Sequence, residues 1–170
     1  MEGELAIINQ VIEWHQSIRA HVKLAGDAIS DREALTGMET AHIDWIPGQT
    51  EKMAEKHDRL QQELSLLGDG LNNHFAFEEK VLPPLLGELF MRALTLDHQA
   101  IKREIEAAKS TLADNKLEGV NREELLLTES NIQEAVNNVC QLVEEHATRE
   151  EIMLGMLKRA LQDKGPNKSP

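Results

Sequence analysis

Two short stretches carry residues able to do chemistry: His74-Phe75-Ala76-Phe77-Glu78-Glu79 and His146-Ala147-Thr148-Arg149-Glu150-Glu151. Each sets an imidazole and a carboxylate four residues apart, which on a helix puts both on one face, one turn apart. A single pair of this kind is usually a solvated surface pair that stabilises by about 0.2–0.5 kcal/mol. Two pairs on two helices, each inside an apolar stripe, read instead as half of a metal site.

The elements that must position them follow from the spacing of apolar residues. A first helix is predicted over about residues 4 to 27, with Leu5, Ile8, Ile12, Ile18, Val22, Ala25 and Ile29 at steps of a buried stripe and His15 filling the gap. Residues 26 to 49, with Gly26, Gly37, Pro47 and Gly48, read as a long connection carrying a short helix around Asp31 to Ala41. The second helix runs from Pro47-Gly48 to about Leu82, along Met53, His57, Leu60, Leu64, Leu67, Leu71, His74, Glu78 and Val81, with room for a bend at Gly68 and Gly70. Pro83-Pro84 stops it. The third runs from about Gly87 to Ala113 along Leu94, His98, Ile101, Ile105, Ala108 and Leu112. The fourth runs from about Asn121 to Gln162 along Ile132, Val136, Val139, Val143, His146, Glu150, Met153 and Leu157. With no strand signal, this is an all-α chain. The expected architecture is a single up-and-down antiparallel four-helix bundle over residues 1–163, with 164–170 a disordered polar tail.

In such a bundle four histidines fall at one level. His15 and His98 lie about a dozen residues into helices running one way, and His74 and His146 lie further into helices running the other. The halves also parallel each other: Trp14-His15-Gln16 matches Asp97-His98-Gln99, and the two HxxxEE stretches match. Four imidazoles and two carboxylates suit two divalent or trivalent ions, each taking two His, with both Glu bridging. Mixed nitrogen and oxygen donors with open positions fit iron or manganese better than structural zinc.

Composition narrows the partners. A net charge of −12 disfavours nucleic acid and anionic membrane surfaces. The single cysteine, Cys140, excludes an internal disulfide and a CxxC motif. No apolar run approaches the roughly 18 residues of a membrane span, and the N-terminus lacks the basic region of a signal peptide. A cytoplasmic protein is expected.

The pattern resembles the haemerythrin-like, HHE cation-binding family. HFAFEEKVLPPLL, from His74 to Leu86, is very like its second-helix signature, and the resemblance spans His15 to Leu157. It implies a non-haem di-iron centre: two iron ions, Fe2+ or Fe3+, bridged by oxo or hydroxo, with His15, His74, Glu78, His98, His146 and Glu150 as ligands. It implies binding or sensing of O2, NO or H2O2 at an open position. The same centre would serve a di-iron enzyme that removes peroxide or nitric oxide, or an iron-sensing module. Oxygen-carrying members have HxxxH on the third helix and HxxxxD on the fourth. Here Lys102 stands four after His98 and the fourth helix has HxxxE, which puts reversible oxygen carriage in doubt. The N-terminal Cys pair of the iron-centre repair members is absent.

Other residues compete or assist. His57 and His21 are rivals to His15 as first ligand. His57 lies seventeen residues before His74, about 25 Å along a continuous helix, so its candidacy needs a complete break at Gly68-Gly70. His21 reads as a flank residue and His42 as a loop residue. Trp14, Phe75 and Phe77 read as core filling that also walls the site. Glu79 and Glu151 are expected at the surface or as hydrogen-bond partners of the ligands.

Overall fold

The computed structural model describes residues 2–41, 49–114 and 122–163, with side chains over 2–32, 54–114 and 123–163, and no strand occurs among the described residues. Four helices follow in order: α1 (Glu2–Ala41), α2 (Gln49–Val81), α3 (Pro83–Asp114) and α4 (Arg122–Asp163). Each packs on the next, and α4 closes the ring against α1. Along α1 and α4, Asn9 meets Lys158, Arg19 meets Glu144, Val22 meets Cys140 and Arg32 meets Glu129. No helix among the described residues is long and apolar enough to cross a membrane.

The predicted stop near residue 27 is wrong. α1 continues through Gly26 and Gly37 to Ala41 as one helix of 40 residues. The physical reason lies in its inner face: Ala25, Ala28, Ile29 and Arg32 are all buried, so the stripe does not end. It only changes from apolar residues to an arginine. The Nε of Arg32 lies 2.8 Å from Glu129 Oε2 and its Nη2 lies 2.5 Å from Glu129 Oε1. A buried guanidinium needs such a partner, since an unpaired buried charge is costly. The rest of the expected connection, residues 42–48, lies outside the described residues, as do the tail from 164 and the loop residue His42.

α2 runs unbroken through both glycines. At Gly68 the side chains of α3 come close: a Cβ there would meet Ile105 Cγ2 at 3.3 Å and Lys109 Nζ at 3.1 Å. The prolines end α2 as expected, but a single turn survives beyond them, with Leu86 N–H donating to Leu82 O at 3.0 Å. Gly87 then breaks the helix at φ 75°, ψ 169°, a conformation open to glycine. The regular part of α3 starts after it.

Two apolar clusters hold the ring together. The larger takes Ile18 and Ala25 of α1, Leu60 to Phe75 of α2, Ile101 to Leu112 of α3 and Ile132 to Val143 of α4. The smaller takes Ile8, Val11, Leu82, Met91, Leu94 and Leu154. Burying a Leu, Ile or Phe side chain stabilises by about 1.5–3 kcal/mol, so these clusters supply the stability. The layer between them is polar.

Candidate metal centre

Each residue of that polar layer fills one step of an apolar stripe. His15 stands between Val11 and Ile18, His98 between Leu94 and Ile101, and His74 and Glu78 between Leu71 and Leu82. His146 and Glu150 stand between Val143 and Leu154. Helical packing therefore turns all six inward. All are buried, at no more than 2% exposure. The structure brings together every residue the sequence singled out as a ligand.

The four imidazoles present Nε2 to the two carboxylates. Nε2 of His74 lies 2.6 Å from Glu78 Oε1, and Nε2 of His15 lies 3.7 Å from the same oxygen. Nε2 of His98 lies 3.2 Å from the other oxygen, Oε2. Nε2 of His15 and of His146 stand 3.3 Å and 3.7 Å from Glu150 Oε2. The donors form two groups, each with its ligand atoms within 4.8 Å of one another: His15, His74, Glu78 and Glu150, and Glu78, His98 and His146. Glu78 belongs to both and offers each a different oxygen.

The outer edges of the rings are also held. Nδ1 of His98 lies 2.8 Å from Glu79 Oε1, and Nδ1 of His15 lies 3.2 Å from Glu151 Oε1. The two carboxylates after the ligand glutamates thus serve histidines on neighbouring helices. Arg19 secures Glu151 at 2.5 Å and Glu144 at 2.9 Å. Phe75 stacks on His98 at 4.0 Å and meets His146 edge-on at 5.5 Å. Trp14 leans on His74 and Phe77.

The electrostatics are those of charge forced out of water. Burial opposes the His15 cation, but the Glu150 and Glu78 carboxylates outweigh it and raise its pKa from 6.5 to about 9. Burial likewise opposes the His98 cation and is outweighed by Glu78 and Glu79, so its pKa rises. Burial, with the neighbouring cations of His98 and His15, lowers His146 to about 4. Burial works against the Glu78 anion too, yet His15, His74 and His98 pull its pKa down. Glu150 is raised to about 7 by burial and by the Glu78 charge.

The donor set fits a pair of metal ions. Nε2 of all four histidines and both oxygens of Glu78 and Glu150 are buried without a hydrogen-bond partner, despite their close approach. Each such atom left unsatisfied costs about 1–3 kcal/mol. Cations held by the two groups would engage one donor atom of each residue in them. The second group, two His and one carboxylate, could hold a metal ion with positions left open.

That second group also borders a pocket of about 380 Å3 between α3 and α4. Phe90, Leu94, Ile152, Met153 and Met156 make it largely apolar, and His146 and Glu150 form part of its wall. Asp97 and Arg149, paired at 2.9 Å, stand at its edge.

The rival histidines are elsewhere. His57 Nδ1 lies 3.0 Å from Arg32 Nη1, at the end of the bundle away from the polar layer. Burial and the arginine charge lower its pKa. His21 is half-buried and joins neither donor group. Cys140 is half-buried, its Sγ 3.7 Å from Val22 O. The sequence reading missed Arg32, Glu129, Arg19 and Asp97. Arg19, one turn after His15, was the only one of these with a local signal. Compared with family models, curated proteins and solved structures, the chain matches none.

Proposed function

We propose that this chain is a haemerythrin-like antiparallel bundle holding a non-haem di-iron centre, which binds or senses O2, NO or H2O2. The observation that carries this reading is the Glu78 carboxylate, whose Oε1 faces His74 and His15 while its Oε2 faces His98. A carboxylate shared in this way suits two ions side by side. His15, His74 and Glu150 would complete one ion's set, and His98 and His146 the other's. The irons, when bound, would supply a redox couple and an exchangeable coordination position. Glu79 and Glu151 orient the rings and raise their basicity through Nδ1. Phe75 covers the face of His98, and the largely apolar pocket beside His146 gives a diatomic an approach to the smaller donor set. The direct test is the absorption spectrum of iron-loaded protein without oxygen, then under air, NO or H2O2. Ligand-specific bands that reverse on purging support a carrier or sensor. A spectrum unchanged by all three contradicts the proposal.

Asp97 and Arg149 favour a second reading, an enzyme that removes peroxide or nitric oxide. They place a carboxylate and a guanidinium beside the pocket, with Asp97 Oδ2 3.8 Å from His146 Nδ1. Such a pair can hold a proton near a reduced ligand. Turnover of H2O2 well above that of free iron, lost in Asp97→Asn, would favour it over simple binding.

A further inference from the structure

His74 differs from the other three imidazoles at its outer edge. Glu79 stands 2.8 Å from Nδ1 of His98, Glu151 stands 3.2 Å from Nδ1 of His15, and Asp97 stands 3.8 Å from Nδ1 of His146. Nδ1 of His74 is buried and has no hydrogen-bond partner among the described residues. The residue forms part of the wall of a pocket of about 320 Å3, together with Trp14, Ser17, Ile18, His21, Gly70 and Asn73. His21 brings a second buried Nδ1 without a partner. Ser17, His21, Asn73 and His74 are all able to donate a hydrogen bond. No acidic side chain among the described residues lines this pocket, in a chain with 30 acidic and 18 basic residues.

We propose that the pocket binds a small free carboxylate, of the formate or acetate class, which accepts from His74 and His21. The inference rests on the metal site proposed above. With Nε2 committed to a metal, the proton of the neutral imidazole sits on Nδ1 and needs an acceptor. A carboxylate is the acceptor that the His98 and His15 rings already use, and it makes the stronger, charge-assisted bond. The bound carboxylate does for His74 what Glu79 does for His98, and it makes the centre responsive to a solute that never touches the metal. Gly70 sharpens the point. It lies one helical turn before His74, on the same face, and a Cβ there would meet no atom within 4 Å. The chain has open space where a glutamate would supply the acceptor itself.

The test is calorimetric titration of sodium formate into iron-loaded protein of measured iron content, against sodium chloride at equal ionic strength. Wild type takes up one formate per chain. His21→Ala weakens it about tenfold, as expected for one lost hydrogen bond to a charged acceptor. Gly70→Glu abolishes uptake with iron content unchanged. Ser17→Leu, which fills the pocket from α1, gives the same result if Gly70→Glu loses helicity. Iron-replete wild type that ignores formate overturns this inference and leaves the metal reading standing. Uptake unaltered in both His21→Ala and Gly70→Glu also overturns it, since the formate is then elsewhere. A chain that takes up no iron overturns both.

Discussion

Replacing Glu79 by Gln tests how the rings are held. Nδ1 of His98 lies 2.8 Å from the Glu79 carboxylate, and Gln keeps the length while removing the charge. Losing the partner that orients a metal-bound imidazole costs about 10–100-fold in metal affinity, or about 1.4–2.7 kcal/mol. The Glu79 side chain is 39% exposed, so solvent screens the pair and the lower end, about tenfold, is expected. The effect falls on one ion only, because His98 belongs to one donor group. Glu78 belongs to both groups, so Glu78→Gln should weaken both ions by more than the roughly 100-fold upper bound for an outer partner. A competitive titration with a chromophoric chelator resolves the two binding steps. Glu79→Gln should weaken one step and spare the other, and Glu78→Gln should weaken both. Equal loss at both steps in Glu79→Gln, or no loss at either, would refute the role given to the Glu79 charge, since the Gln amide oxygen can still accept from Nδ1.

Further outcomes follow from the same geometry. His74→Ala or His146→Ala should lose about half or more of the bound iron, while His57→Ala, whose ring meets Arg32 instead, should leave iron per chain unchanged. Arg32→Ala strands Glu129 in the core and should cost about 3–5 kcal/mol in urea unfolding, whereas Arg32→Met with Glu129→Leu should be close to neutral. For the chelated protein, the acid raised from 4.5 to about 7 at Glu150 favours unfolding as pH rises through that window, and the base lowered from 6.5 to about 4 at His146 does the opposite. Those two largely cancel. His15, raised from 6.5 to about 9, then dominates, so stability should fall between pH 6.5 and 9. A urea midpoint that is higher at pH 9 than at pH 6.5 would contradict this.

The six proposed ligands were legible in the sequence because each occupies a step of an apolar stripe, where a polar residue needs a reason. The helices were legible for the same cause, with α2 and α4 matching their expected ends within a residue or so. α1 was misjudged because Gly26, Gly37 and a weak apolar period after them read as a connection, and the stripe continues there through Arg32, whose burial makes sense only with Glu129 opposite it. The grouping of His15 with His74 and of His98 with His146 depends on which helices are neighbours. So do the bonds from Glu79 and Glu151, each reaching a ring on another helix. The two pockets could not be read from the sequence, since their walls combine buried and exposed residues of two facing helices, α3 with α4 and α1 with α2.

The most direct test of the central claim is iron bound per chain after anaerobic reconstitution, measured beside far-ultraviolet circular dichroism. The expected result is two irons per wild-type chain and loss of both ions' tight binding in Glu78→Gln. A fully helical protein that holds no iron, or binds it equally well without Glu78, would contradict it.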